Sequence, residues 1–180
     1  MHWMQGGLPI LGERTTVRWL GSSVLEMAIR DGKAPFAGMT LVVFLEARDT
    51  PWMWALGRAC GRRDTLIIRG VLRRIPSVEF EALDAGSWSG REAVKRVPEE
   101  WQVRQAARAG DLVIHYDSAR ALERADALLT EARNKGLVVK RLSLRRPEPH
   151  FQIHVSLPEE SQSARGFFEA VQAIPRCALD

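Results

Sequence analysis

Two segments of the chain share one order of apolar and polar stretches, and this order constrains the fold more than any other feature. Leu41–Arg74 and Leu112–Arg146 each contain an apolar run, a polar break, a helix-like stretch, a second apolar run and a closing arginine pair. The likeness continues beyond the arginines, where Val78–Leu83 corresponds to Phe151–Leu157. Recurrence of a whole supersecondary pattern predicts a tandem duplication of one β-α-β-β-α unit. The alternative is that two α/β segments share a pattern because most α/β segments do.

The predicted fold class is α/β (α+β), with the duplication forming two ferredoxin-like sheets. From Met39 the first six elements read β-α-β-β-α-β, which is the ferredoxin-like order. The second unit lacks its fourth strand, and we expect the N-terminal strand Arg14–Leu20 to supply it. This organisation divides the chain into residues 1–38 (an arm, a strand and a short helix), residues 39–110 (the first repeat) and residues 111–180 (the second repeat).

Several helices are predicted from apolar spacing and capping residues. Val24–Arg30 is predicted as a short helix, and Trp88–Ala109 as a helical stretch that Pro98 divides, so that a fresh helix starts at Glu99. Ser118 is expected to cap a helix over Ala119–Asn134, whose buried stripe comprises Leu122, Ala125, Leu128, Leu129 and Ala132. A last helix should open at Pro158–Glu160 and reach Ala173, with Pro175–Asp180 as a tail. Residues 1–13 read as a loop or arm.

The bulk properties indicate an ordinary globular chain. No apolar run approaches the roughly 18 to 20 residues of a membrane span, and the N-terminus lacks the pattern of an export signal. We therefore expect a cytoplasmic protein without a membrane partner. The two cysteines, Cys60 and Cys177, form no Cys/His cluster, so no metal site is expected. No motif for a bound cofactor is present either.

The basic residues are almost all arginine: 22 Arg against 4 Lys, for a formal net charge of +4. The planar arginine fork suits phosphate, which makes RNA or DNA the expected ligand. The alternative is that the coding sequence supplies arginine wherever a cation is acceptable.

Paired arginine clusters give this expectation a location. By the strand period of two, Arg69 shares a face with Arg73, and Arg141 shares one with Arg145. Open faces of this kind would form a basic sheet surface, where strand aromatics such as Phe44 could stack on bases. The predicted nucleic-acid-binding residues are Arg69, Arg73, Arg74, Arg141, Arg145 and Arg146. Arginines that merely keep helix ends and strand edges soluble are the alternative.

Six tryptophans in a chain with one tyrosine suggest a second function. Exposed tryptophans often anchor protein interfaces, so Trp52, Trp54, Trp88 and Trp101 would be contacts of a subunit in a larger assembly.

A third function, a metal-independent ribonuclease, depends on His115 and His154. The sequence His154-Val155-Ser156-Leu157 resembles the motif of the two-histidine phosphoesterases, which implies a catalytic histidine on each of two symmetric strands. The symmetric position, Glu81-Ala82-Leu83, has no histidine. We therefore favour a non-catalytic module over an enzyme, and keep both histidines as catalytic candidates.

Overall fold

Nine strands lie in one antiparallel sheet at the centre of the molecule. The computed structural model describes residues 2–46, 51–59, 63–106, 111–158 and 163–179. In these residues the strands pair in the order β1-β2-β3-β4-β9-β8-β5-β7-β6, and every neighbouring pair is antiparallel. Their bounds are β1 Thr15–Trp19, β2 Val24–Ile29, β3 Phe36–Phe44, β4 Thr65–Leu72, β5 Phe80–Asp84, β6 Gln102–Gln105, β7 Leu112–Tyr116, β8 Val139–Leu144 and β9 Phe151–Ser156.

The helices of the described part follow the expected caps where the sequence signal is strong. They are α1 His2–Gln5, α2 Pro51–Ala59, α3 Trp88–Val94, α4 Ala119–Asn134 and α5 Ala164–Leu179, with a 3-10 turn at Leu8–Ile10. The Ser118 hydroxyl accepts a hydrogen bond from the Ala121 amide and so caps α4. The chain leaves α4 through Gly136, whose φ of +74° favours glycine. The predicted helix Ala119–Asn134 is therefore confirmed at both ends.

One face of the sheet carries the core. Alternate residues of β2, β4 and β9 are buried, as the strand period requires when one face is covered, and β3 buries Val42 on its other face as well. The α4 stripe packs on this side and buries Ala121, Ala125, Leu128, Leu129 and Ala132, whereas Leu122, predicted in this stripe, is only half-buried. The α5 residues Phe168, Val171 and Ile174 complete the same core. The fold is thus a two-layer α+β arrangement, which confirms the predicted mixed class.

The first residues dock on the helical layer. The Trp3 ring lies 5.7 Å from that of Phe167 and 6.2 Å from that of Phe168, measured between centroids. The Gln172 side-chain amide donates to the carbonyls of Ile10 and Ala34, at 3.3 and 3.1 Å. The segment predicted as an arm is consequently held against α5.

The predicted duplication into two ferredoxin-like sheets is not confirmed. β3 and β4, joined through α2, are antiparallel neighbours. β7 and β8, joined through α4, are parallel to each other and separated by β5. A duplication would give Leu56 and Leu128 equivalent buried positions on their helices, but they are 60% and 1% exposed. The predicted first strand, Arg14–Leu20, is a strand at the edge of the sheet, where it pairs with β2 rather than completing a second unit.

Three local predictions were wrong. Val24–Arg30 is not a helix but contains β2, in which Leu25, Met27 and Ile29 alternate toward the core. The helix expected from Glu99 is replaced by β6, an edge strand paired with β7. The last helix continues through Pro175 to Leu179, where a tail was expected. Its predicted start at Pro158–Glu160 falls partly on residues 159–162, and Cys60 is likewise outside the described residues.

No helix in the described part of the chain is long and apolar enough to cross a membrane.

Candidate nucleic-acid interface

The face of the sheet opposite α4 and α5, here called the open face, carries polar and charged side chains in register. Directly paired residues of an antiparallel sheet point to the same side, so each row of pairs can be followed across the strands. One row runs Thr40, Arg69, Gln152, Ser143, Glu81 and His115. The next runs Val42, Ile67, His154 and Arg141, and a third runs Phe44, Thr65 and Ser156.

The open face is accessible on one half and covered on the other. Arg69 and Phe44 are exposed, and Ile67, Gln152 and His154 are half-buried. Toward β5 and β7 the residues Leu83, Glu81 and His115 are buried, although they point away from the principal core. The helix α3, which follows β5 in the chain, packs against β5 and covers this half of the open face. A ligand therefore has access to Phe44 at the end of β3 and to the exposed and half-buried side chains of β4, β9 and β8, whereas Val42 on β3 is 9% exposed.

The structure brings three of the six predicted arginines onto the open face. Arg69 lies on β4 and Arg141 on β8, with β9 between them. Arg145 follows β8 on the same side as Arg141. Arg141 and Arg145 share a face because side chains alternate along a strand, whether or not the chain contains a duplication.

Arg141, Arg145 and Arg146 are paired with carboxylates in what we call the Glu81 network. The Glu81 carboxylate, 3% exposed, accepts from Arg141 Nε at 2.5 Å and from Ser143 Oγ at 2.8 Å. The partners of Arg145 are Glu79 at 3.7 Å, Glu81 at 3.9 Å and the Trp101 ring, whose centroid is 4.6 Å away. The partners of Arg146 are Glu79, Asp117 and the Ser77 carbonyl. Three cations and three carboxylates balance, so this network contributes little net charge to the face.

Arg73 and Arg74 lie beyond the end of β4. The Arg73 guanidinium donates to the carbonyls of Phe36 and Gly32, both at 3.0 Å, and so holds the β2–β3 connection. Arg74 is exposed. Neither belongs to the rows of the open face.

A second group, here called the His154 cluster, consists of Arg69, Lys140, Arg141, Gln152 and His154. The Gln152 amide nitrogen lies 2.6 Å from His154 Nε2. An amide nitrogen only donates, so Nε2 accepts and the ring proton is on Nδ1. Lys140 Nζ lies 3.3 Å from Thr65 Oγ1, which places its ammonium on the open face. No carboxylate of the described residues pairs with Arg69. Arg69 and Lys140 therefore add positive charge around a neutral imidazole, while the charge of Arg141 is balanced by Glu81.

The same surroundings determine the protonation of His154. Burial, the largest cause, and the neighbouring charges of Arg141, Arg69 and Lys140 together lower its pKa to about 3. We expect the ring to remain neutral at pH 7 and at pH 5. An unfolded chain would bind a proton near the ordinary pKa of 6.5, so this residue makes the native state lose stability as pH falls from about 6.5 toward 3.

An NMR titration of the imidazole signals checks this prediction, with His154→Gln providing the assignment. A His154 midpoint above about pH 5 would contradict the surroundings described here.

The two candidate catalytic histidines are far apart. His115 lies on β7 and His154 on β9, with β5 and β8 between them. Three interstrand spacings correspond to about 14 Å. General acid and base groups must each reach the reacting phosphodiester by a hydrogen bond, which this separation prevents. Burial also lowers the pKa of His115, although the nearby Glu81 charge acts in the opposite direction.

Of the residues that complete the surface, sequence reasoning selected Phe44 but not Lys140 or Gln152. Phe44 is 43% exposed at the end of β3, in register with Thr65, whereas the strand residues Phe80 and Phe151 are fully buried. Lys140 and Gln152 have no local signal, because their proximity depends on β9 lying between β4 and β8. Phe44 is separated from Val42 and Thr40 by even numbers of positions, which predicts that the three side chains lie on the same face of the strand.

A depression adjoins Arg69 at the other end of the open face. It has a volume of about 530 Å³ and lies between β2, β3, β4 and the Glu148–Pro149 turn. Two arginines, Arg30 and Arg69, and one carboxylate, Glu148, line it.

The predicted tryptophan contacts lie in different settings. Trp52 is 68% exposed on α2, one turn from the exposed Leu56. Trp54 is half-buried, and Trp101 is half-buried beside Arg145. The Trp88 side chain is outside the described part.

No group of three histidine, cysteine, aspartate or glutamate side chains that could hold a metal ion occurs among the described residues. No protein-family model matches the chain, and no curated protein matches its sequence.

Proposed function

We propose that the protein is a non-catalytic nucleic-acid-binding module and that the open face of its sheet is the binding surface. The observation that carries this proposal is the His154 cluster, where Arg69, Lys140 and Arg141 surround a neutral imidazole. Phosphate binding is dominated by such cations, and each phosphate neutralised releases counterions. The free half of the face is broad, and it combines these cations with an exposed aromatic side chain.

The geometry divides the six predicted arginines by role. Arg69 is exposed and available to a phosphate. Arg141 engages Glu81 through Nε and is the β8 residue paired with His154. Arg73, Arg145 and Arg146 have protein partners and serve the structure first. The available cations of the binding surface are accordingly Arg69 and Lys140; Arg141 adjoins them but is paired with Glu81, and Arg74 lies outside the surface.

Replacement of Arg69 by glutamine should weaken binding to nucleic acid roughly three- to tenfold at about 0.1 M salt, because one phosphate contact is lost. The slope of log K against log salt should fall by about 0.7 for a single strand. Fluorescence anisotropy with labelled oligouridylate and oligothymidylate measures both quantities.

Arg165→Gln is the matched control, since Arg165 is an exposed arginine on α5, on the opposite side of the sheet. It should leave the affinity within about twofold. If neither oligonucleotide binds the wild type at low salt, or if the two variants lose affinity equally, the open face is not a nucleic-acid surface.

The exposed pair Trp52 and Leu56 favours the second candidate, a subunit of an assembly. Sedimentation velocity over a range of concentrations, on the wild type and on Trp52→Ser, tests self-association through α2. This candidate uses a different part of the molecule and does not compete with the open face.

A further inference from the structure

We infer that the open face takes single-stranded rather than duplex nucleic acid, with one unpaired base on Phe44 and the adjoining backbone at the His154 cluster. This inference rests on the proposed function and specifies its ligand.

The position of Phe44 is the first step. Its ring is 43% exposed at the end of β3 and shares a face with Val42 and Thr40. It is paired with Thr65, whose hydroxyl contacts the Lys140 ammonium. An aromatic side chain is therefore next to the cationic cluster on one continuous surface. In a duplex the base faces are stacked inside, so an exposed ring can stack only on an unpaired base.

The apolar floor between the ring and the cluster is the second step. Val42 and Ile67 are directly paired on β3 and β4, and they separate Phe44 from Arg69 along the strands. His154 is the next residue of the same row, on β9. β3 and β9 are two interstrand spacings apart, about 10 Å. Bases lying over β3 and β4 would thus place their backbone over β9 and β8, where Arg141 and Lys140 lie.

Charge complementarity selects nucleic acid over an acidic protein segment for this surface. The His154 cluster supplies cations to a backbone, whereas the exposed Phe44 ring and the half-buried Ile67 side chain offer apolar contact to bases. A stacking platform beside a positive groove is the combination that binds single strands without reading their sequence.

The test compares anisotropy-measured affinities of wild type, Phe44→Leu and Trp19→Leu for a labelled oligouridylate of about 12 nucleotides and for an RNA duplex of that length. Phe44→Leu should weaken single-strand binding roughly 5- to 150-fold and leave duplex binding unchanged. Trp19 is a matched control, because it is 50% exposed and paired with Leu25, which points to the helical side of the sheet. Trp19→Leu should change neither affinity.

The outcomes separate the two proposals. Binding of single strand and duplex with equal affinity, or a Phe44→Leu variant with unchanged single-strand affinity, overturns the single-strand inference and leaves the nucleic-acid function standing. Absence of binding to every probe at low salt overturns both. The inference is supported if the wild type and Trp19→Leu prefer the single strand over the duplex and Phe44→Leu does not.

Discussion

Leu128→Ala should lower the free energy of unfolding by roughly 2 to 5 kcal/mol, while Leu56→Ala should change it by no more than about 0.5 kcal/mol. Leu128 is 1% exposed in the stripe where α4 meets the sheet, so its truncation leaves a cavity in the core. Leu56 is 60% exposed on α2, and its truncation removes little buried surface. Urea denaturation followed by circular dichroism measures both values.

This pair separates the observed fold from the duplication that the sequence suggested. Under a true repeat the two leucines would be equivalent, and the two losses would be similar. Equal losses would mean that α2 is packed as α4 is, in contradiction to the exposed side chain described here. Leu129→Ala, on the same α4 stripe, is a second buried variant and should resemble Leu128→Ala.

Some of the fold could be predicted because its signals are local. The apolar stripe of α4, its Ser118 cap and the closing Gly136 are all contained in one stretch of chain, and the helix was predicted with its observed bounds. β2 was predicted as a helix because other apolar residues stand beside Leu25, Met27 and Ile29 and hide their alternation. Short apolar runs of this kind fit a helix and a strand equally well.

The sheet topology could not be predicted because it depends on pairing between distant residues. Both repeat-like segments have a strand, a helix and a strand, but β3 pairs directly with β4 and β7 is separated from β8 by β5. The apolar pattern of the strands and the length of the helix do not show whether another strand lies between the two strands of a segment. A similar local sequence therefore leads to two different arrangements.

The candidate site divides in the same way. The period of two was enough to place Arg141 and Arg145 on one face. Their partners could not be foreseen, since Glu81 is 60 residues before Arg141 in the chain. The same holds for His154, whose cationic neighbours come from β4 and β8 on either side of β9. Sequence reasoning thus identified the arginines, but neither Lys140 nor which of the arginines are already paired.

Glu81→Ala should lower the free energy of unfolding by roughly 2 to 4 kcal/mol, because a buried carboxylate is the shared partner of two arginines. Its two oxygens accept from Arg141 and Ser143, and Arg145 lies 3.9 Å away. Removal of the carboxylate leaves Arg141 and Arg145, each less than a quarter exposed, without this compensation. Glu81→Gln retains an acceptor and should lose less. Denaturant unfolding of both variants measures the difference.

Glu169→Ala is the matched control, since this glutamate forms an exposed i,i+4 pair with Arg165 on α5 and should contribute less than about 0.5 kcal/mol. A Glu81→Ala loss no larger than this would contradict a structural role for the network.

The network also predicts the direction in which the affinity for nucleic acid changes. Loss of the Glu81 charge frees the Arg141 guanidinium, which can then turn toward His154. Folded Glu81→Gln should therefore bind oligouridylate more tightly than the wild type, with a steeper dependence on salt. A variant that is less stable yet binds more tightly would show that Glu81 restrains the cations of the open face while it holds the strands together.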